Sequence, residues 1–210
     1  MLKLNAQELR NTEPTQEQVK AVKRRPIYII LDNVLDTYNV GSIFRLADAV
    51  GAQKIYLCGE TLTPPNPRIK KASISTWKWV EWEYVPTAVE AIEKLKTEYC
   101  HPEVPIGILN RNDRISKANK KDSIASLQND TKRNLTVIAV EQDKRSIAFD
   151  KFDYQLPVAL VVGNESFGVS KEVLDKCDAI VELPMYGINK SLNVMVSTGI
   201  VLYEIIKCLP

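Results

Sequence analysis

Three short segments carry the residues best suited to chemistry, and each follows a β-branched apolar run. That placement matters because parallel sheets collect their ligands beyond the C-terminal ends of their strands. In the first segment, LDNVLDTYNVGSIFRLADAVG, Asn39, Gly41 and Arg45 open a helical stretch. Asn39 is suited to capping the helix and Gly41 to close approach by another backbone. An ordinary capped helix with a surface arginine is the plainer alternative. The second segment, LVVGNESFGVS, sets Gly163 and Gly168 at the G-x-x-x-x-G spacing of a phosphate-binding loop. Val169 and Ser170 then stand where such a loop needs Lys and Ser or Thr, and Glu165 brings a carboxylate to where phosphates would sit. A nucleoside triphosphate is therefore disfavoured, and the loop suits a neutral or cationic ligand. The third segment, LPMYGINKSLNVMVS, turns at Pro184 and Gly187 before Ser191 and Asn193 meet an apolar helix. Ser191 suits the N-cap, with Asn189 competing for it. Asn193 is a weak helix former in the first turn of so apolar a helix, and a polar group there needs a partner.

The elements that must position these residues are legible from periodicity. Near-continuous apolar runs predict strands at Ile27 to Leu31, Lys54 to Cys58, Val104 to Leu109, Leu135 to Val140, Val158 to Val162 and Ala179 to Leu183. Helices are predicted at Val40 to Val50, Ala88 to Tyr99, Ser123 to Gln128, Lys171 to Cys177 and Leu192 to Leu209. Strand alternating with helix predicts an α/β domain with a mostly parallel sheet. The segment Thr61 to Tyr84 breaks the alternation with Pro64, Pro65 and Pro67 and reads as a surface excursion. The last helix is apolar around most of its circumference, which asks for cover on nearly every side. A partner subunit, making a homodimer, is the favoured cover, with a purely intramolecular core as the alternative.

Composition narrows the classes. The chain has 210 residues, 45% hydrophobic and 26% charged, which suits one folded domain and excludes disorder and collagen-like repeats. A formal charge of +2 is too small to announce a nucleic-acid partner by its net field, so any such surface must be local. One histidine, His101, excludes a His-rich metal site, and four separated cysteines contain no C-x-x-C pair, so no metal is expected. The cysteines read as small buried hydrophobes in a reducing compartment. The polar N-terminus and the short uncharged run Ser191 to Tyr203 predict a cytoplasmic chain without a signal peptide or membrane span.

One local surface does suit nucleic acid. No Asp or Glu lies between Glu60 and Glu81, a window that holds Arg68, Lys70, Lys71 and Lys78 beside Trp77 and Trp79. Cations next to flat rings suit phosphates and unstacked bases. Tryptophans tucked into the core beneath a solvated loop are the equal alternative.

Taken together, N-x-G-x-x-x-R (Asn39, Gly41, Arg45), G-x-E-x-x-G (Gly163, Glu165, Gly168) and L-P-M-x-G-x-x-x-S-L-N-V (Leu183 to Val194) resemble, in order and spacing, the three motifs of the SpoU, or TrmH-like, branch of the SPOUT RNA methyltransferases. The resemblance spans about residues 27 to 205, with Met195 departing from the small residue that relatives often carry. It divides the chain into a short helical extension, residues 1–25, and a methyltransferase domain, residues 26–210. It implies a Rossmann-like sheet whose C-terminal segment is threaded as a trefoil knot, and S-adenosylmethionine as cofactor. The loops Val140 to Gln142, Gly163 to Gly168 and Leu183 to Leu192 would hold that cofactor. The implied contacts are Val140, Glu141, Gly163, Asn164, Glu165, Gly168, Leu183, Met185, Ser191 and Leu192. The implied reaction is methyl transfer to a ribose 2′-hydroxyl of tRNA or rRNA, with Arg45, Asn39, Glu165, Ser191 and Asn193 as catalytic candidates and Arg68, Lys70, Lys71 and Lys78 for RNA. On this analogy Asn39 and Ser191 orient phosphate or ribose, Glu165 lies near the sulfonium or orders the arginine, and Asn193 fixes its loop against Arg45 or Glu165. A guanidinium rarely gives up its proton in a protein and is a poor literal base, so Arg45 is expected to hold a phosphate or stabilise the developing oxyanion.

Overall fold

The computed structural model describes residues 13–100 and 134–209. The expected strand Val104 to Leu109 and helix Ser123 to Gln128 lie outside them. The elements in chain order are α1 (Gln16–Ala21), β1 (Arg25–Asp32), α2 (Thr37–Val50), β2 (Ala52–Cys58), α3 (Pro67–Ser73), β3 (Trp82–Val85), α4 (Ala88–Cys100), β4 (Thr136–Val140), β5 (Ile147–Ala148), β6 (Val158–Gly163), α5 (Lys171–Leu174), β7 (Ala179–Glu182) and α6 (Val194–Lys207). The strands form one seven-stranded sheet in the order β3-β2-β1-β6-β4-β7-β5, and every pairing is parallel.

Successive side chains of a strand point to opposite faces, and β1 divides its residues accordingly. Ile27, Ile29 and Leu31 join one buried cluster with Ile43 and Phe44 of α2 and Leu202 and Ile205 of α6. Tyr28 and Ile30 join another with Ala91, Ile92 and Leu95 of α4. Both faces of the central strands are covered, which is why those strands read as unbroken apolar runs.

The segment Thr61 to Tyr84 is more than a surface excursion. It holds α3, a turn of 3-10 helix at Thr76–Lys78 and the edge strand β3. Trp77, Trp79 and Trp82 are partly buried against the core, and the Trp79 indole N–H donates to Asp48 at 3.0 Å. The core alternative therefore holds for the tryptophans. Gly41 explains the seat of α3: a Cβ there would lie 2.6 Å from the Ala72 Cβ and 2.8 Å from the Ile69 carbonyl oxygen. The expected close backbone approach is met by these two helices.

Capping differs from the sequence reading at both key helices. Asp36, not Asn39, caps α2, accepting from the Tyr38 N–H at 2.8 Å. Asn193, not Ser191 or Asn189, caps α6, accepting from the Met195 and Val196 N–H groups. Both helices have a competent cap residue at more than one position, and the tertiary position of the chain selects among them. Among the described cysteines Cys58 is buried as expected, whereas Cys177 is half-buried and Cys208 is exposed. Among the described residues no helix is long and apolar enough to cross a membrane.

Candidate functional site

Strand register brings the motif segments together. Asp32, the last residue of β1, pairs with Gly163, the last of β6, and β4 and β7 lie beyond β6 in the sheet. The loops that leave β1, β6, β4 and β7 are therefore neighbours at one end of the sheet.

The Gly163 to Gly168 loop closes on itself, with Asn164 and Gly168 exchanging backbone hydrogen bonds of 3.0 and 2.9 Å. The Asn164 side chain supports it from inside, accepting from the Ser166 and Phe167 N–H groups and donating to the Asn33 carbonyl at 2.9 Å. Both glycines are steric requirements. A Cβ on Gly163 would lie 2.2 Å from the Gly168 carbonyl carbon. One on Gly168, at φ +70°, would lie 2.1 Å from a Glu141 carboxylate oxygen. That Glu141 carboxylate accepts from the Val169 N–H at 2.8 Å and the Gln142 N–H at 2.9 Å. Gln142 in turn donates to the Lys190 carbonyl, tying the loop after β4 to the one after β7.

Glu165 reaches across to the first motif. One carboxylate oxygen accepts from the Leu35 N–H at 3.1 Å; the other accepts from the Asp36 N–H at 3.1 Å and the Asn39 amide at 2.9 Å. Partial burial pushes the Glu165 pKa up, but the hydrogen bonds from Asn39 and the backbone outweigh it and hold the carboxyl below its ordinary value. The Asn39 oxygen, on the other side, accepts from the Asn193 amide at 3.0 Å. One relay thus joins all three motifs: the α6 cap, Asn39 of α2, and Glu165 of the closed loop.

Asn39 is buried with both ends of its amide engaged. Asn193 reaches Glu165 through Asn39. Neither residue hydrogen-bonds Arg45, so Glu165 does not order the arginine within one chain. Ser191 is exposed, and its N–H and hydroxyl both donate to Asn189 at 3.2 Å. Val140, Leu183 and Met185 are partly buried where β4 and β7 end, and Leu192 is exposed ahead of α6.

Arg45 lies on another face of α2. It lines a surface cleft of about 590 Å³ with Tyr38, Ser42, Pro67, Lys70, Lys71, Ala72, Ile74 and Ser75. Tyr38, Ser42 and Arg45 follow the i, i+4, i+7 spacing of one helix face, a signal in the sequence that the reading of the motifs passed over. The cleft contains none of the residues expected to hold the cofactor. Lys70 and Lys71 share it with Arg45, whereas Arg68 and Lys78 do not. Lys78 instead pairs with Glu13 ahead of α1. Sequence reasoning also missed Asp32, 3% exposed, which accepts from the Ser170 N–H at 2.9 Å and the Asn33 amide at 2.9 Å. A lone carboxylate ending an apolar strand was the available signal.

Comparison with known proteins places this geometry among relatives. The profile of the SpoU rRNA Methylase family matches residues 26–104 and 108–203. A tRNA (guanosine(18)-2′-O)-methyltransferase of Aquifex aeolicus is 30% identical over 193 residues, covering 89% of this chain and 72% of the relative. A 23S rRNA (guanosine-2′-O-)-methyltransferase of Haemophilus influenzae is 25% identical over 191 residues, covering 91% of this chain and 63% of the relative. Among solved structures, the A. aeolicus TrmH/SpoU tRNA modifying enzyme aligns with a TM-score of 0.66 at 27% identity over 96% of this chain and 81% of that one. An AdoMet-bound rRNA methyltransferase from Sinorhizobium meliloti aligns with a TM-score of 0.62 at 26% identity, covering 96% of this chain and 60% of that one.

Proposed function

The chain belongs to the SpoU methylase family, and we propose that it methylates a ribose 2′-hydroxyl of structured RNA with S-adenosylmethionine as the donor. The observation that carries this reading is the Asn193–Asn39–Glu165 relay, which locks the three motif segments together at the ligand-binding end of the sheet. tRNA is the favoured substrate, because the chain covers 72% of the Aquifex tRNA enzyme against 63% of the Haemophilus 23S rRNA enzyme. rRNA is the second reading.

The loops suit a sulfonium cofactor by their donor set. They present carboxylates at Glu141 and Glu165, apolar Leu183, Met185 and Leu192, and no lysine beside the glycines of the closed loop. Val140, Gly163, Asn164, Gly168 and Ser191 complete the proposed cofactor contacts. When bound, the cofactor supplies an electrophilic methyl group and needs no metal. The protein must then favour the oxyanion form of the ribose hydroxyl. The Arg45 guanidinium meets that developing charge with its N–H donors. A donor of this kind is worth about 3 kcal/mol in comparable sites. Asn39 and Glu165 act as positioning residues that hold the closed loop and the start of α6 in place.

Within one chain the Arg45 cleft and the cofactor loops share no lining residue. We propose that a homodimer brings them together through α6, whose Val196, Ile200 and Tyr203 stay exposed at 40%, 36% and 55% and lie close to one face of the helix. Residues 1–25 are proposed as an extension to the 26–210 domain, with the knotted threading of the family and a cytoplasmic location. Replacing Arg45 with alanine is the direct test. Turnover on tRNA should fall at least a hundredfold with cofactor affinity near normal by calorimetry, and retention of more than about a tenth of the activity would remove Arg45 from the mechanism.

A further inference from the structure

The Arg45 cleft has a feature that its side chains alone do not explain. Ile74 and Ser75, which line it, both adopt left-handed backbone angles, with φ of 49° and 65°. A β-branched residue there is a genuine outlier, and such conformations persist only where the surroundings enforce them. The surroundings are visible. Ser73 is fully buried against Gly41, and the Thr76 hydroxyl donates to the Ser73 carbonyl at 2.8 Å. Passage from the last residue of α3 into this left-handed pair turns successive N–H groups to one side, the arrangement that forms an anion-binding nest. Neither the Ile74 nor the Ser75 N–H has an acceptor among the described residues. The cations point the same way. Arg45, Lys70 and Lys71 line one cleft without an acidic residue, and among the described residues none of the three forms a salt bridge. Three like charges gathered without a counterion in a cleft with free N–H donors call for an anion.

We infer that this cleft clamps one phosphodiester of the RNA strand, with the Ile74 and Ser75 N–H groups and the Lys70 and Lys71 ammoniums on its non-bridging oxygens. The inference rests on the reading of the protein as an RNA methyltransferase and sharpens it. The contact that fixes the strand is a specific backbone site beside Arg45, not a diffuse basic surface. Phosphate contacts position without reading sequence, so the clamp sets which ribose is presented and leaves base identity to other groups.

Two measurements on the full chain test this. First, the amide spectrum of isotopically labelled protein is followed during titration with inorganic phosphate at constant ionic strength. The Ile74 and Ser75 amides should move together, and combined Lys70→Ala and Lys71→Ala substitution should abolish the movement. Unmoved Ile74 and Ser75 amides overturn the clamp whether or not the protein is a methyltransferase. Second, tRNA affinity is measured against salt. Losing the one clamped phosphate should reduce the slope of log affinity on log salt by about 0.7, the single-strand value per phosphate. Combined Lys94→Ala and Lys96→Ala substitution removes the same charge from α4 on the other face of the sheet and should leave the slope unchanged. Equal slopes for the two double variants overturn the clamp. Failure of the wild-type chain to bind S-adenosylmethionine by calorimetry would instead count against the proposed reaction and leave the phosphate titration to decide the clamp.

Discussion

Replacing Asn39 with aspartate changes one nitrogen to oxygen and tests the relay with almost no change of shape. The lost group is the amide that donates to Glu165 at 2.9 Å, while the oxygen that accepts from Asn193 is kept. Two carboxylates would then face each other. Even relaxed to about 4 Å they repel by about 4 kcal/mol at an effective dielectric of about 20. Glu165 is exposed, and solvent screening reduces this to about 2 kcal/mol. The lost hydrogen bond adds about 1 kcal/mol, giving about 3 kcal/mol against typical stabilities of about 5 to 15 kcal/mol. The repulsion exists only when both groups are ionised, so folding raises the upper apparent pKa of the pair. The native state then binds more protons than the unfolded chain, and the penalty grows as pH rises. It is small below about pH 4, where unfolded carboxyls are protonated, and complete above about pH 7. Urea unfolding of wild type and variant should show a midpoint about 1.5 M lower at the upper pH, for a slope of about 2 kcal/mol/M. The gap should narrow to about a third at the lower pH. A deficit of equal size at both pH values would refute the electrostatic reasoning, and no deficit at high pH would refute the relay itself.

Glu165→Gln should show its deficit over the same pH range, through loss of a stabilised carboxylate rather than gain of a repelled one. The wild-type Glu165 pKa is lowered in the folded state, so its contribution is present above the unfolded carboxylate pKa and is lost as pH falls through the folded value. The variant should be less stable near neutrality and show a flatter acid limb, and parallel stability profiles would contradict the assignment. Gly168→Ala must place a Cβ 2.1 Å from Glu141 at φ +70°. The left-handed backbone costs at least about 1 kcal/mol, and calorimetric affinity for S-adenosylmethionine should fall at least tenfold while the helical signal is retained. Unchanged affinity would separate that loop from the cofactor. Ile200→Asp should convert a dimer to a monomer by light scattering, and a variant that stays dimeric would place the interface elsewhere. Mixing Arg45→Ala and Gly168→Ala chains under exchange should restore activity if two chains complete one site, and no restoration would confine each site to one chain.

Much of this protein was settled by near neighbours along the chain. The apolar runs of β1, β2, β4 and β6 follow from sheet faces covered on both sides, and the periodicity of α2 and α4 is local. The spacing of Gly163, Glu165 and Gly168 marked a loop that spurns phosphate, because the residues that decide it lie within eight positions of one another. Tertiary structure decided what local signals leave degenerate. Asp36, Asn39, Ser191 and Asn193 are all competent caps, and the choice among them depends on where Glu165 falls, 126 residues from Asn39. The same placement made Asn39 a buried link to Asn193, 154 residues away. The tryptophans of the basic window were equally compatible with stacking and with core until α3 and β3 packed them inward. Register between β1 and β6 and the fit of α3 on Gly41 are properties of distant surfaces meeting. No window of the sequence contains both halves of such a contact, and so only the folded chain could separate the Arg45 cleft from the loops it was expected to join.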